Sequence, residues 1–307
     1  MSAHEESARI LSVAVDAIGG TPRSGQVEMA QAVDRAIDEE IHLLVQAGTG
    51  TGKSLGYLAP AMAHAVLDDE AVVVATATLA LQAQLAGKDI PAALTAAEKV
   101  LPRRPRAAVL KGRHNHACLH KVRGGSSRPD QDMLLDDAES SAAGSAGKGT
   151  DQASELGAEV IALRQWAEQQ AAENGVGDRD DAPAHSQQAW DQVSMRANEC
   201  LGAQNCPFGP QCLAERARER ARDADIVVTN HAMLAIDAMN GGTLLPEHDV
   251  VVIDEAHEVA DRFTGAASVD LWPGRLSTVA RQGLTWLDDD LGADLLDQVD
   301  VLHEALE

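Results

Sequence analysis

The sequence predicts an α/β fold in which a mostly parallel sheet is covered by helices on both faces. Three observations carry this. Short apolar runs at Val72–Ala75, Ile226–Thr229 and Val250–Ile253 read as buried strands. Helix-period stripes alternate with them, which is the pattern of strands joined by helical crossovers. Hydrophobic residues make up 45% of the chain but aromatic ones only 2%, so the core must be Ala, Val, Leu and Ile, a composition that suits such layers.

Taken in order, Met29, Val33 and Ile37 recur at helical spacing and predict a helix over Gln26–Glu40. Ile41–Gln46 predicts a strand feeding a glycine loop, and Lys53–Ala65 the helix leaving it. A helix over Leu79–Gly87 follows the Val72–Ala75 strand, and a short strand is expected at Ala107–Leu110. The next strand, Ile226–Thr229, lies beyond a long stretch of different character. Within that stretch Gly124–Gly149 is rich in Ser, Gly, Ala and Asp, the composition of a poorly ordered segment. Leu156, Val160, Leu163 and Trp166 then form one helical stripe, and Asn174–His185 reads as a loop. The simplest organisation is an α/β domain in two parts, 1–110 and 225–262, interrupted by an insertion over 111–224 and followed by an acidic helical region over 263–307.

At 307 residues the chain has room for about two domains. Glu5 and Glu6 stand where a secretory signal would be basic. The most apolar stretch, near Ala71–Ala86, is broken by Thr76, Thr78, Gln82 and Gln84 and is too polar for a membrane span. A cytoplasmic protein is expected, with no membrane partner, and its four cysteines are then metal ligands or free thiols rather than disulfides. A net charge of −23 taken alone opposes a nucleic-acid partner. Its distribution softens that argument: Arg103–Arg123 holds seven Lys or Arg and no acid, and Arg216, Arg218, Arg220 and Arg222 form a second cluster.

Ala47–Ser54 (AGTGTGKS) fits the Walker A spacing, with Ala47 in the first glycine's place. Gly48, Gly50 and Gly52 let the loop curl so that backbone N–H groups, including those of Thr49 and Thr51, point at phosphate oxygens. Lys53 is placed to reach the β and γ phosphates and Ser54 to hold Mg²⁺. Val250–Ile253 delivers a second motif, Asp254–His257 (DEAH), to the carboxyl edge of the sheet. Asp254 would bind Mg²⁺, Glu255 would orient or deprotonate the attacking water, and His257 would connect the site to neighbouring elements.

Cys118, Cys200, Cys206 and Cys212 are separated by 81, 5 and 5 residues. Neither short gap matches the tight pairs of a structural zinc site. Pro207, Gly209 and Pro210 turn the chain as a ligand-bearing loop requires. Spacing alone leaves an iron–sulfur cluster, a zinc site and no metal all open. A mixed Cys/His zinc site with His114, His116 or His120 is the competing metal reading.

Together these pieces resemble the iron–sulfur superfamily 2 helicases, in particular the DinG-like branch related to XPD, over about residues 20–262. Arg23 and Gln26 look like the Q motif, which reads adenine and favours ATP. AGTGTGKS and DEAH look like motifs I and II. Thr76–Leu85 resembles motif Ia, which implies DNA-backbone contacts for Thr76, Thr78 and Gln82. Leu110–Cys118 is similar to the family's entry into its cluster domain, which turns Lys111 and Arg113 towards DNA. Asp225–His231 (DIVVTNH) follows in the family's order.

The resemblance implies a RecA-like domain, a [4Fe–4S] cluster on the four cysteines, ATP with Mg²⁺, and 5′-to-3′ DNA unwinding. It also implies that 263–307 is a partial arch. Two departures stand against it: no Ser-Ala-Thr motif III follows DEAH, and no Gln-x-x-Gly-Arg-x-x-Arg motif VI is present. The expectation is therefore the N-terminal half of a helicase, weak or inactive alone, with room for a second polypeptide supplying helicase domain 2. The alternatives are a non-catalytic remnant that binds DNA or a partner, and a P-loop kinase or transporter ATPase, which would leave DEAH and the cysteine order unexplained.

Overall fold

Four parallel strands, β1 (Val72–Thr76), β2 (Ala107–Val109), β3 (Ile226–Asn230) and β4 (Val250–Ile253), form one sheet in the order β2-β3-β1-β4. The computed structural model describes residues 3–21, 23–48, 51–124, 149–268, 273–284 and 287–306. Val72 stands opposite Ile226 on one side and Val250 on the other, and Ala107 opposite Ile226. All four strands fall where apolar runs predict them.

Successive strand residues face opposite sides, so two cores result. On one face Val72, Val74, Ile226 and Val228 pack against α1 (Ala3–Ala17), α2 (Ser24–Asp38), α3 (Lys53–Leu67) and α5 (Ile90–Ala97). On the other, Val73 and Val227 meet Leu110, Ala221, Ala224 and Leu245. The predicted helix after β1 begins as α4 (Leu79–Gln84) and runs through a wider π turn at Leu85–Asp89 into α5.

The expected strand at Ile41–Gln46 does not form. Residues 41–48 take neither strand nor helix, and Leu44 is 94% exposed. A strand exists only as one side of a ladder, and apolar content cannot supply the other side. Among the described residues β4 pairs with β1 alone, and Val251 and Ile253 are left exposed.

The cysteine-bearing insertion has its own core. Leu119 and Val122 of α6 (Leu119–Gly124), Leu163 and Ala167 of α7 (Gly149–Ala172), and Ala189 and Trp190 of α8 (Gln187–Asp191) pack with Leu213, the first residue of α9 (Leu213–Arg222). The Trp190 indole N–H donates to the His114 carbonyl at 2.7 Å. Arg216 donates to carbonyls of Gln170, Ala171 and Gly175, and Arg220 to that of Asn174. These cations therefore cap the negative end of α7. Of the segment expected to be poorly ordered, residues 125–148 lie outside the described residues.

Residues 1–263 cluster as one unit and 264–307 as another. α10 (His231–Met239) follows β3 directly, and α11 (Val259–Ala267) spans the boundary between the units. In the second unit α12 (Pro273–Gly283) packs on α13 (Asp289–Leu306).

Between α1 and α2, Asp34 is buried beside Ser7, with His4 Nδ1 at 3.2 Å. Burial pushes its carboxyl up from 3.8 to about 6, against the pull of Ser7 and His4. The folded chain therefore holds this proton more tightly than the unfolded one. Its contribution to stability grows as pH falls through about 6, levels off below 3.8, and is lost at neutral pH. Asp34→Asn is expected to raise stability at pH 7 by about 1 kcal/mol, after discounting for partial solvation. Urea denaturation at pH 5, 6 and 7 should show the gain over wild type shrinking as pH falls; a gain constant across that range contradicts the assignment.

Candidate nucleotide site and cysteine pocket

The glycine loop leads into α3 at Lys53, with Gly52 as its N-cap in the left-handed region at φ 80°. Gly52 is required twice over. Its φ disfavours an L side chain, and an added Cβ would overlap the Gln26 amide, which donates to the Gly52 carbonyl at 2.9 Å. Gln26, expected at adenine, is thus 5% exposed and braces the glycine loop, while Arg23 stands exposed at the start of α2. Thr51 Oγ1 donates to the Gly48 carbonyl at 2.9 Å. Ala47 and Ser54 are half-buried, and Thr49 and Gly50 lie outside the described residues.

From 202 residues away, β4 brings Asp254 and Glu255 to the Lys53 ammonium, which donates to Glu255 and lies 3.8 Å from Asp254. The contact with Glu255 raises the Lys53 pKa and lowers that of Glu255, so both stay charged. Glu255 is itself left-handed at φ 54°, a conformation that persists in a non-glycine residue only where its surroundings impose it. His257 is 73% exposed, 3.6 Å from Glu255.

Two residues here escaped the motif reading. Tyr57, one turn along α3 from Lys53 and 2% exposed, points its hydroxyl at Asp254 over a long 3.4 Å. Burial, then the Asp254 charge, push its phenol well above the ordinary range. The i, i+4 spacing from Lys53 was a readable signal for it. His231 at the start of α10 is fully buried, and its Nε2–H donates to the Asp254 carbonyl at 2.9 Å. No local pattern announces that contact.

All four cysteines are half-buried and line one pocket, together with Arg113, His120, Met195 and Phe208. Gly209 permits it, because a Cβ there would overlap the Ala203 carbonyl and force the Cys200–Cys212 loop open. Burial pushes the Cys118 thiol up, while backbone N–H groups of Lys121 and His120 pull it down. Four thiols around a common space are a suitable donor set for an iron–sulfur cluster. Among the described residues no group of three or more His, Cys, Asp or Glu converges as a site for a single metal ion. Of the three histidines in the zinc alternative, only His120 reaches the pocket. His116 is 2% exposed, with Nδ1 3.0 Å from the Val176 carbonyl.

Comparison with known proteins gives similarity across most of the chain. The DEAD_2 family model matches residues 168–276, which run from the insertion through DEAH. An "ATP-dependent helicase DinG" of Mycobacterium tuberculosis is 47% identical over 280 residues, covering 89% of this chain and 40% of the relative. The similarity to this relative runs through most of the chain. An "ATP-dependent DNA helicase YoaA" of Escherichia coli is 35% identical over 247 residues, covering 79% of this chain and 34% of the relative. The chain therefore spans about two-fifths of the length of the first of these relatives, and a third of the second.

The residues expected to contact DNA are engaged differently from the motif reading. Thr76 and Gln82 are fully buried: Thr76 donates to the Thr78 carbonyl, and the Gln82 amide donates to those of Leu110 and Val228 at 3.3 and 3.1 Å. Lys111, with 4% of its side chain exposed, donates to Asp178 and Asp180 at 2.7 Å each. Arg113 pairs with Glu215. Thr78 keeps some surface, but its hydroxyl caps α4 by accepting from Leu81 N–H at 3.2 Å.

The same holds for the whole acid-free stretch. Arg103 and Arg106 meet Asp225, Arg104 meets Glu98, Lys121 donates to the Asp191 carbonyl and Arg123 to Glu168. A run without acids in sequence thus meets carboxylates in space at six of its seven cations, with Lys121 on a backbone carbonyl instead. The expectation of a cationic face built from these residues is corrected accordingly.

Proposed function

We propose that the chain is the ATP-binding and cluster-bearing portion of a DNA helicase that couples ATP hydrolysis to 5′-to-3′ strand separation. The observation that carries this reading is the convergence of Lys53 with Asp254 and Glu255 at the carboxyl edge of a parallel sheet. That is the place where open α/β sheets bind ligands.

On this reading the loop N–H groups and Lys53 hold the triphosphate, and Ser54 and Asp254 hold Mg²⁺. Glu255, kept ionised by Lys53 until nucleotide draws the cation away, accepts a proton from the attacking water. Bound Mg²⁺ supplies neutralisation of charge on the phosphoryl oxygens. Cys118, Cys200, Cys206 and Cys212 hold a [4Fe–4S] cluster. The arginine that completes such ATP sites would come from helicase domain 2, supplied by polypeptide outside residues 1–307, whether continuous with them or separate.

A second reading, a nucleotide-binding remnant without DNA grip, is favoured by the pairing of six of the seven basic residues of 103–123 with carboxylates, and by the contact of Lys121 with a backbone carbonyl. Anaerobic purification with metal analysis, Mg·ATP titration and single-stranded DNA titration separates the two. Wild type should carry about four irons per chain, and Cys200→Ser should lose iron while keeping Mg·ATP affinity. Zinc in place of iron overturns the cluster. Absence of Mg·ATP binding overturns the nucleotide site, and Mg·ATP binding without measurable DNA affinity selects the remnant.

A further inference from the structure

We infer that His231 is a positioning residue of the nucleotide site, clamping the Asp254–Glu255 peptide so that Asp254 faces the loop and Glu255 stays left-handed opposite Lys53. This rests on the reading of residues 47–54 and 254–257 as a Mg·ATP site.

The His231 ring is fully buried and its Nε2 lies 2.9 Å from the Asp254 carbonyl oxygen. A carbonyl only accepts, so the ring must carry its proton on Nε2. The other nitrogen, Nδ1, is buried with no hydrogen-bond partner. The bond from Nε2 to the Asp254 carbonyl is the hydrogen bond through which this ring reaches the site.

That bond acts at a decisive peptide. On the amino side of Asp254, its N–H donates to the Ala75 carbonyl of β1 at 2.9 Å. On the carboxyl side, the ladder ends with Ile253 opposite Ala75, and His231 takes over the next carbonyl. With both flanking peptide planes fixed, the Asp254 side chain has little choice of direction, and its Oδ1 accepts from Glu255 N–H at 3.1 Å. The first torsion beyond the clamped plane is the Glu255 φ of 54°. An unclamped peptide could rotate and return Glu255 to ordinary backbone, carrying its carboxylate away from Lys53.

His231 is itself rigidly mounted. Asn230 pairs with Thr76 in the sheet, and its side chain caps α10 by accepting from Met233 N–H at 2.9 Å. Position 231 is therefore set by the sheet and the helix together, and needs no contact with nucleotide to act on it.

The test is calorimetric titration of the 307-residue chain with ATP, with Mg²⁺ and with chelator, for wild type, His231→Leu and His231→Gln. Leucine fills the space but donates nothing, so Mg·ATP affinity should fall about tenfold while metal-free ATP affinity, which depends on the loop, stays within about twofold. Glutamine retains a donor and should bring Mg·ATP affinity back to within about threefold of wild type. A folded His231→Leu that matches wild type with Mg²⁺ overturns the inference, as does equal damage from Leu and Gln.

Nitrogen-15 NMR of labelled histidine in wild type supplies a reading that needs neither nucleotide nor a folded variant. A proton on Nε2 of His231 is expected, and a proton on Nδ1 overturns the clamp. Failure of wild type to bind Mg·ATP would sink the nucleotide reading, leaving the tautomer to decide whether the peptide is clamped.

Discussion

Lys53→Ala is expected to lower Mg·ATP affinity about a hundredfold while leaving the fold intact. The cation does two things at once: it donates to Glu255 and offsets Asp254 at 3.8 Å. Without it the incoming phosphates lose a charge-assisted hydrogen bond worth about 1.5–3 kcal/mol. They also meet two carboxylates with no positive charge between, and like charges at such range add a comparable penalty in a partly solvated site. Even at the low end these sum to about 3 kcal/mol, which is at least about a hundredfold in affinity. Stability should barely change, because Lys53 and Glu255 keep 27% and 28% of their side chains exposed, and exposed pairs contribute little. Titration of the variant with Mg·ATP checks this; an affinity within about threefold of wild type would mean the loop does not hold a triphosphate.

Lys111→Ala is expected to be the most damaging single change to the fold, costing about 3–5 kcal/mol, because it leaves a buried carboxylate without its cation. Asp178 has only 12% of its side chain exposed, whereas Asp180, at 49%, can turn to water. The damage should be repaired in part by removing the orphaned charge. Lys111→Met with Asp178→Asn keeps the volume and an acceptor for the Asp180 N–H that Asp178 now caps. Urea denaturation of the three proteins measures the effect. A Lys111→Ala chain as stable as wild type but weakened on single-stranded DNA would restore the DNA role that the buried geometry argues against.

Much of this architecture could be read from residue patterns. Val72–Ala75, Ala107–Leu110, Ile226–Thr229 and Val250–Ile253 each announced a strand by local composition, and the phosphate loop and DEAH announced one site because their chemistry requires adjacency. α1 is equally legible, since Ile10, Leu11, Ala14 and Val15 form a helical stripe. What stayed hidden was pairing. Ile41–Gln46 has the composition of a strand but no ladder neighbour among the described residues. Gln82 looks like a surface polar residue until Leu110 and Val228 offer it carbonyls from 28 and 146 residues away. His231 likewise meets Asp254 only through the fold. The residues proposed for nucleotide are defined by a backbone geometry that a motif records, whereas the exposure of those expected at DNA depends on neighbours no motif records.

The compensation of the basic stretch changes how the molecule looks from a distance. Six of the seven cations of 103–123 stand beside carboxylates, which weakens the outward field of that stretch. What remains is the excess of acids, −23 over the chain. An approaching polyanion meets repulsion that extends about 8 Å, the Debye length at physiological ionic strength. Nucleic-acid binders ordinarily weaken as salt rises, because counterions must be displaced again. For encounters governed by this chain's own surface the first effect of added salt has the opposite sign: screening lets the strand come close.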